Sequence, residues 1–320
     1  MPGEGTALIA AGCYALSYVF LRKGQSESSL PDHGLFPILL LGVLTLGGSF
    51  TILHLTGTAA VIHRTDWQSI LLYSAVSGLI GTWLGRMALY AAIEYVGATR
   101  GVVIKSIAPL VTLIIAFLLL GERLDDLDTT GMICLLTGVG LVLLDRSWLS
   151  QRGLLDWFRR GLTLGVAAAL LQGIGHAMRK LATLHAANPL VSAIVDVGTA
   201  FLAYLVWLAL SGNLKRTIRF YTSTYNPYVM AAGFLSAAGV LLFFIAVGEA
   251  PVSTVSVIIG TEPVLVAIFS EFLLRKLERL TVMTVLASVL VAAGVILTSL
   301  DQSSSALQFL KITNKLHLFH

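Results

Sequence analysis

Charge is what this sequence has least of. Only 12% of its 320 residues are Asp, Glu, Lys or Arg, about half the share usual in a soluble domain. Too few polar side chains remain to cover a water-facing surface, so a large soluble globule is excluded. Cysteine is nearly missing as well. Cys13 and Cys134 both lie inside apolar runs and make neither a disulfide framework nor a metal-ligand pattern. The net charge of +4 is spread over short loops, with no cationic cluster interleaved with aromatics, so nucleic acid is not expected as a partner. A glycine-rich phosphate loop, a metal-ligand cluster and a Ser/His/Asp set are all lacking. No metal or cofactor is therefore expected, and nothing points to an enzyme. The first apolar run, TALIAAGCYALSYVFL, has no charged leader, so a removable signal peptide is not expected.

What is present is apolar: 56% of the residues are hydrophobic. They form continuous runs, whereas barrel strands would alternate apolar and polar residues over about ten positions. A helix crosses a bilayer with about 20 apolar residues. Ten runs fit, near 6–21, 35–55, 69–93, 99–120, 129–144, 161–179, 189–210, 228–248, 252–274 and 281–300. The sequence thus predicts an all-α membrane protein of ten transmembrane helices. The loops between them are too short for separate domains, and the tail 301–320 is polar, then weakly amphipathic.

The runs repeat. LYAAIEYVGATRGVVIKSIAPL at 89–110 aligns with FFIAVGEAPVSTVSVIIGTEPV at 243–264 without a gap, at a shift of 154 residues that sets Pro109 on Pro263 and Gly140 on Gly294. Only seven positions in 88–120 are identical; the shared order of elements carries the argument. YVFLRKG at 18–24 also resembles GHAMRKL at 175–181. The expected organisation is a five-helix repeat over 1–150, a second over 151–300, and the tail. Five is odd, so the second repeat enters the membrane from the opposite side, the inverted design of secondary transporters.

The segments ALYAAIEYVGATRGVVIKSIAPLVTLIIAFLLLGERL with GMICLLTGVGLVLL, and AVGEAPVSTVSVIIGTEPVLVAIFSEFLL with LVAAGVIL, resemble the EamA-type branch of the drug/metabolite transporter superfamily. The likeness covers nearly the whole chain. The second copy departs at its charged turn, where LLRKLERL stands in place of an LGER-type sequence. The resemblance implies a multi-pass membrane protein, most naturally of a bacterial inner membrane, that moves metabolites outward.

A proline within a helix removes a donor and frees the carbonyl four residues back, which at membrane depth must be buried in protein or face a wet cavity. Pro109 and Pro263 therefore predict kinks beside a cavity at matching places. GTWLG at 81–85 has the small-residue spacing that favours close helix contact. Ionisable residues within spans are costly and mark candidate sites. Arg86, with Tyr90 one turn on, and Lys105 suit an anionic group. Asp196 and Glu262 suit an ammonium or a proton. His176 could titrate, and Tyr14 and Tyr18 share one face of the first helix. An internal ion pair is the competing role for the charged residues, and packing for the tyrosines and the histidine. Cations in the first half and acids in the second suit a zwitterion such as an amino acid. The expected partners are a small-molecule substrate and the bilayer, with proton coupling through a buried carboxyl, in a monomer or homodimer. A drug or lipophilic-cation exporter and a non-transporting membrane subunit are the alternatives.

Sidedness divides the signals. Loops after odd-numbered spans hold twelve Lys and Arg; the other loops and the tail hold six, Arg179 among them. Counting positive charges puts both termini outside; the family resemblance puts both inside.

Overall fold

The computed structural model describes residues 2–55, 67–108, 110–111, 114–115, 126–144, 154–185, 189–249, 258–275, 277, 281–294 and 296–297. Pro109, the charged turn at 121–124 and the tail lie outside the described residues. Among the described residues all regular structure is helical. Lipid offers the backbone no hydrogen-bond partner, so apolar runs close their own bonds as helices.

In chain order, α1 is Pro2–Glu27, α2 Leu35–Leu55, α3 Trp67–Val96, α4 Ala98–Lys105, α5 Asp126–Leu144, α6 Leu154–His185, α7 Pro189–Leu210, α8 Leu214–Ser223, α9 Pro227–Glu249, α10 Glu262–Leu273 and α11 Val282–Gly294. Six of them, α1, α2, α3, α6, α7 and α9, contain stretches long and apolar enough to cross a bilayer, and α5 and α11 hold shorter apolar stretches. The sequence placed a loop at 211–227; there the chain forms α8, an amphipathic helix. It exposes Lys215, Arg216 and Arg219 and turns Leu214 and Tyr221 onto the core.

The expected fourth and ninth spans are interrupted. α4 stops at Lys105 and a turn follows at Ser106 and Ile107; in the second half a turn at Gly260 and Thr261 precedes α10. The two turns share one bonding pattern. Ile107 N–H donates to the Ile104 carbonyl (3.2 Å), while Leu110 and Val111 N–H donate to the Ile107 carbonyl (3.0 and 3.4 Å). Exactly 154 residues on, Thr261 donates to Ile258 (3.1 Å), and Val264 and Leu265 donate to Thr261 (3.0 and 3.2 Å). At Pro263 the expected kink is thus a full break. Pro263 lies in the first turn of α10, where its missing N–H is one that a helix leaves unpaired anyway.

Packing also repeats by exchange. α1 and α2 both pack on α9; their counterparts under the shift, α6 and α7, both pack on α3. α2 meets its own counterpart α7, and α4 meets α10. The principal contacts are antiparallel: Gly24 lies at Val229 and Tyr14 at Gly239, while Gly161 lies at Val96 and Gly175 at Gly81. Likewise Gly138 faces Val291 and Gly294 faces Leu135 across α5 and α11. Gly81 and Gly175 let two backbones touch, since a Cβ on Gly175 would lie 2.7 Å from the Gly81 Cα. That crossing falls within Gly78–Gly85, where α3 widens into a π-helix, an arrangement frequent at functional sites.

Candidate substrate chamber

The two chain breaks bring opposite charges together. Lys105 ends α4 and Glu262 begins α10, and the Lys105 Nζ donates to Glu262 Oε2 at 2.6 Å, with side chains 10% and 5% exposed. Lys105 Nζ also lies 5.4 Å from the centre of the Tyr18 ring. A buried charge without a partner is strongly unfavourable, so each group requires the other.

Asp196 of α7 enters a second buried cluster. Its Oδ1 accepts from Ser77 Oγ (2.6 Å) and Arg179 Nε (3.2 Å); its Oδ2 accepts from Thr82 Oγ1 (2.5 Å) and Arg179 Nη2 (3.1 Å). Arg179 also donates to both hydroxyls, at 3.1 Å to Ser77 and 2.6 Å to Thr82. Gly78 makes this possible: a Cβ there would sit 2.3 Å from the Asp196 carbonyl oxygen. α3, α6 and α7 are thereby tied at one level. Arg179 was not a candidate from sequence, because it ends the sixth apolar run and counts as a loop cation. In the fold its side chain is 12% exposed and inside the bundle. Its position in MRKL, matched to LRKG at 21–24, was the only sequence signal. Arg100, 2% exposed in α4, is a further interior cation that periodicity did not single out.

Between these clusters lies Arg86. Its Nη1 donates to Ser236 Oγ at 3.0 Å, and among the described residues it forms no ion pair with a carboxylate. Ser236 is the counterpart of Thr82 under the 154-residue shift, so each half supplies a hydroxyl to a buried guanidinium. Tyr90, Tyr14, Tyr18 and, beyond ion-pair range, Asp196 are the electrostatic neighbours of Arg86, and His176 lies within reach of Arg179, Lys105 and Arg86. Tyr14 and Tyr18 also sense Glu262. Among the described residues, the phenol oxygens of the buried Tyr14, Tyr18 and Tyr90 and the ring nitrogens of His176 take no hydrogen-bond partner. These groups come from α1, α3 and α6 and lie close enough in the interior to interact electrostatically. Arg86, Tyr90, Tyr14, Tyr18 and His176 therefore converge. Lys105 and Glu262 lie beside them as a closed pair, and Asp196 is withdrawn into its own cluster.

One end of the bundle is tied separately. Asp32 accepts from the N–H groups of Phe36 (2.7 Å) and Gly34 (3.2 Å), and from the phenols of Tyr204 (2.9 Å) and Tyr221. Burial, then the Asp32 carboxylate, push the Tyr221 phenol well above its ordinary range. Next to it His33 Nδ1 lies 2.6 Å from Glu94 Oε2, and Arg22 donates to the Glu94 carbonyl at 3.1 Å. Among the described residues no cluster of three or more His, Cys, Asp or Glu is placed to hold a metal ion.

The sequence matches the EamA-like transporter family over residues 1–144 and 159–300. No curated protein matches it. A solved structure titled "Crystal structure of protein" is 16% identical and superposes with a TM-score of 0.58, over 92% of this chain and 97% of that one. That likeness concerns the fold.

Proposed function

The chain belongs to the EamA-like transporter family and is a multi-pass membrane transporter of the drug/metabolite type; from that premise we propose that it exports a small polar metabolite by alternating access. The proposed architecture is ten membrane helices in two inverted five-helix halves, with the substrate held between them in a bacterial inner membrane. One observation carries this reading: the helix contacts exchange between the halves, with unpartnered polar groups of α1, α3 and α6 held in the interior. Antiparallel contact of matching helices supports the inversion, and an inverted pair can trade conformations so that one site opens to each side in turn.

Opposite charges in the two halves favoured a zwitterion at the level of sequence. With Lys105 and Glu262 closed on each other, that argument no longer selects one, and the substrate is proposed here only as a small polar metabolite. Proton coupling would run through Glu262, whose charge Lys105 balances.

The test is two-sided labelling. In a variant with Cys13 and Cys134 replaced, Ser236→Cys is exposed to a membrane-impermeant maleimide in right-side-out and inverted vesicles. Modification from both sides is expected. Modification from one side alone would refute alternating access and favour a static membrane subunit.

A further inference from the structure

We propose that the chamber selects a small organic carboxylate with an otherwise uncharged body, and that Arg86 is the group that seizes it. This rests on the transport reading only in taking the chamber as the substrate's seat.

The acids near the chamber are already engaged. Glu262 is closed on Lys105 at 2.6 Å. Asp196 receives four donors, two on each oxygen, which fills the in-plane sites of a carboxylate. Glu262 keeps a second oxygen, but its charge is balanced by Lys105, so an ammonium group would find no unbalanced acid in either. Arg86 is the opposite case: an interior guanidinium whose neighbours are a serine hydroxyl and three phenols, while the acid it senses, Asp196, is paired with Arg179 and no carboxylate is in ion-pair range among the described residues. A charge so placed needs a counter-ion, and a guanidinium fork matches a carboxylate with two parallel hydrogen bonds. The buried phenols of Tyr14, Tyr18 and Tyr90, all neighbours of Arg86, have O–H donors without a hydrogen-bond partner among the described residues. Interior polar groups without partners call for a ligand or water. A donor-rich wall around one unbalanced cation is complementary to one anionic group. The tyrosine rings offer apolar faces to the rest of the molecule. A cation would meet Arg86 with like charge, and a zwitterion would leave its ammonium without an acid.

The experiment holds the carbon skeleton fixed and varies the charge. Purified full-length protein is titrated with 3-phenylpropanoate, phenylalanine and 2-phenylethylamine, and with the aliphatic series 4-methylpentanoate, leucine and 3-methylbutylamine. In at least one series the carboxylate is expected to bind ten-fold or more tighter than the zwitterion, with no binding of the amine. Arg86→Gln should abolish the preference, and Arg86→Lys should retain part of it. Tyr18→Phe removes one donor without touching the charge and should weaken the carboxylate several-fold, a readout that holds even if Arg86→Gln does not fold. Tighter binding of the zwitterion or the amine would overturn the proposal, as would failure of both carboxylates to bind, or a preference that survives Arg86→Gln. The two-sided labelling of Ser236→Cys is independent of these titrations. Two-sided labelling without carboxylate binding would sink the anion proposal alone, and carboxylate binding with one-sided labelling would sink alternating access alone.

Discussion

The contact between Lys105 and Glu262 joins residues 157 positions apart across the two chain breaks. Its energetics are asymmetric. Removing one partner leaves a buried charge, at a cost of about 3–5 kcal/mol, whereas replacing both with apolar groups of similar volume is often neutral. Lys105→Met should therefore lower the unfolding temperature in detergent markedly. The double change Lys105→Met with Glu262→Leu should recover most of the loss. A double variant no more stable than the single would contradict the pairing. Asp32 poses a similar question at the bundle end, because it caps α2 and receives two phenols at once. Asp32→Ala removes a cap worth about 1 kcal/mol and strands two phenols at about 1–3 kcal/mol in all. A clear drop in thermal stability is expected, and Tyr221→Phe alone should show a smaller one. At this scale the costly charges were legible: Arg86, Lys105, Asp196 and Glu262 stand out in apolar runs. Their partners were not. Pairing depends on which helices cross at what height, and Arg179 sat at a run's edge where composition alone reads it as solvated.

Among the elements, α3 does the most to shape the interior. Its π stretch carries Gly78, Gly81 and Gly85, and each faces another helix at a distance that excludes a side chain. Gly175→Ala would press a methyl group onto the Gly81 backbone, which cannot yield as a flexible side chain can. A loss of about 1–3 kcal/mol is expected for such overpacking. Gly12 offers the control, since nothing lies within 4 Å of a Cβ there, and alanine in a helix gains about 0.5–1 kcal/mol over glycine. Melting curves of the two variants should move in opposite directions. The spacing of GTWLG announced this close approach, but not the π widening, which depends on a bonding register that residue types alone do not fix. The same limit explains Pro263. A proline in an apolar run signals disturbance, and whether the helix bends or restarts depends on the residues two and three positions before it. Here Gly260 and Thr261 form a turn, matched by Ser106 and Ile107 in the first half. α8 is not legible from hydropathy, because its ten residues are too polar and too few for a span.

Over the whole molecule, the exchange of contacts makes the two halves nearly equivalent, so the places where equivalence fails indicate which state is favoured. Arg179 corresponds to Arg22, yet the two are held differently. Arg179 binds the Asp196 carboxylate, while Arg22 donates to the backbone carbonyl of Glu94. Neither Gly42, 154 residues before Asp196, nor Leu39, at the 157-residue spacing that matches Arg179 to Arg22, is an acid, so the acid that completes the cluster has no twin. A buried ion pair thus ties α3, α6 and α7 together, and among the described residues the exchanged set of helices lacks that arrangement. Asp196→Asn keeps the size and much of the hydrogen bonding but removes the charge that holds Arg179. A two-state equilibrium moves ten-fold for every 1.4 kcal/mol of differential stabilisation, so loss of this tie should shift the populations by roughly that factor or more. With Ser236→Cys as reporter, maleimide labelling should speed up about ten-fold from the face where α6 ends at His185 and α7 begins at Pro189. Labelling from the opposite face should slow. Equal rates in the two backgrounds would mean that the cluster only packs the bundle and does not latch it.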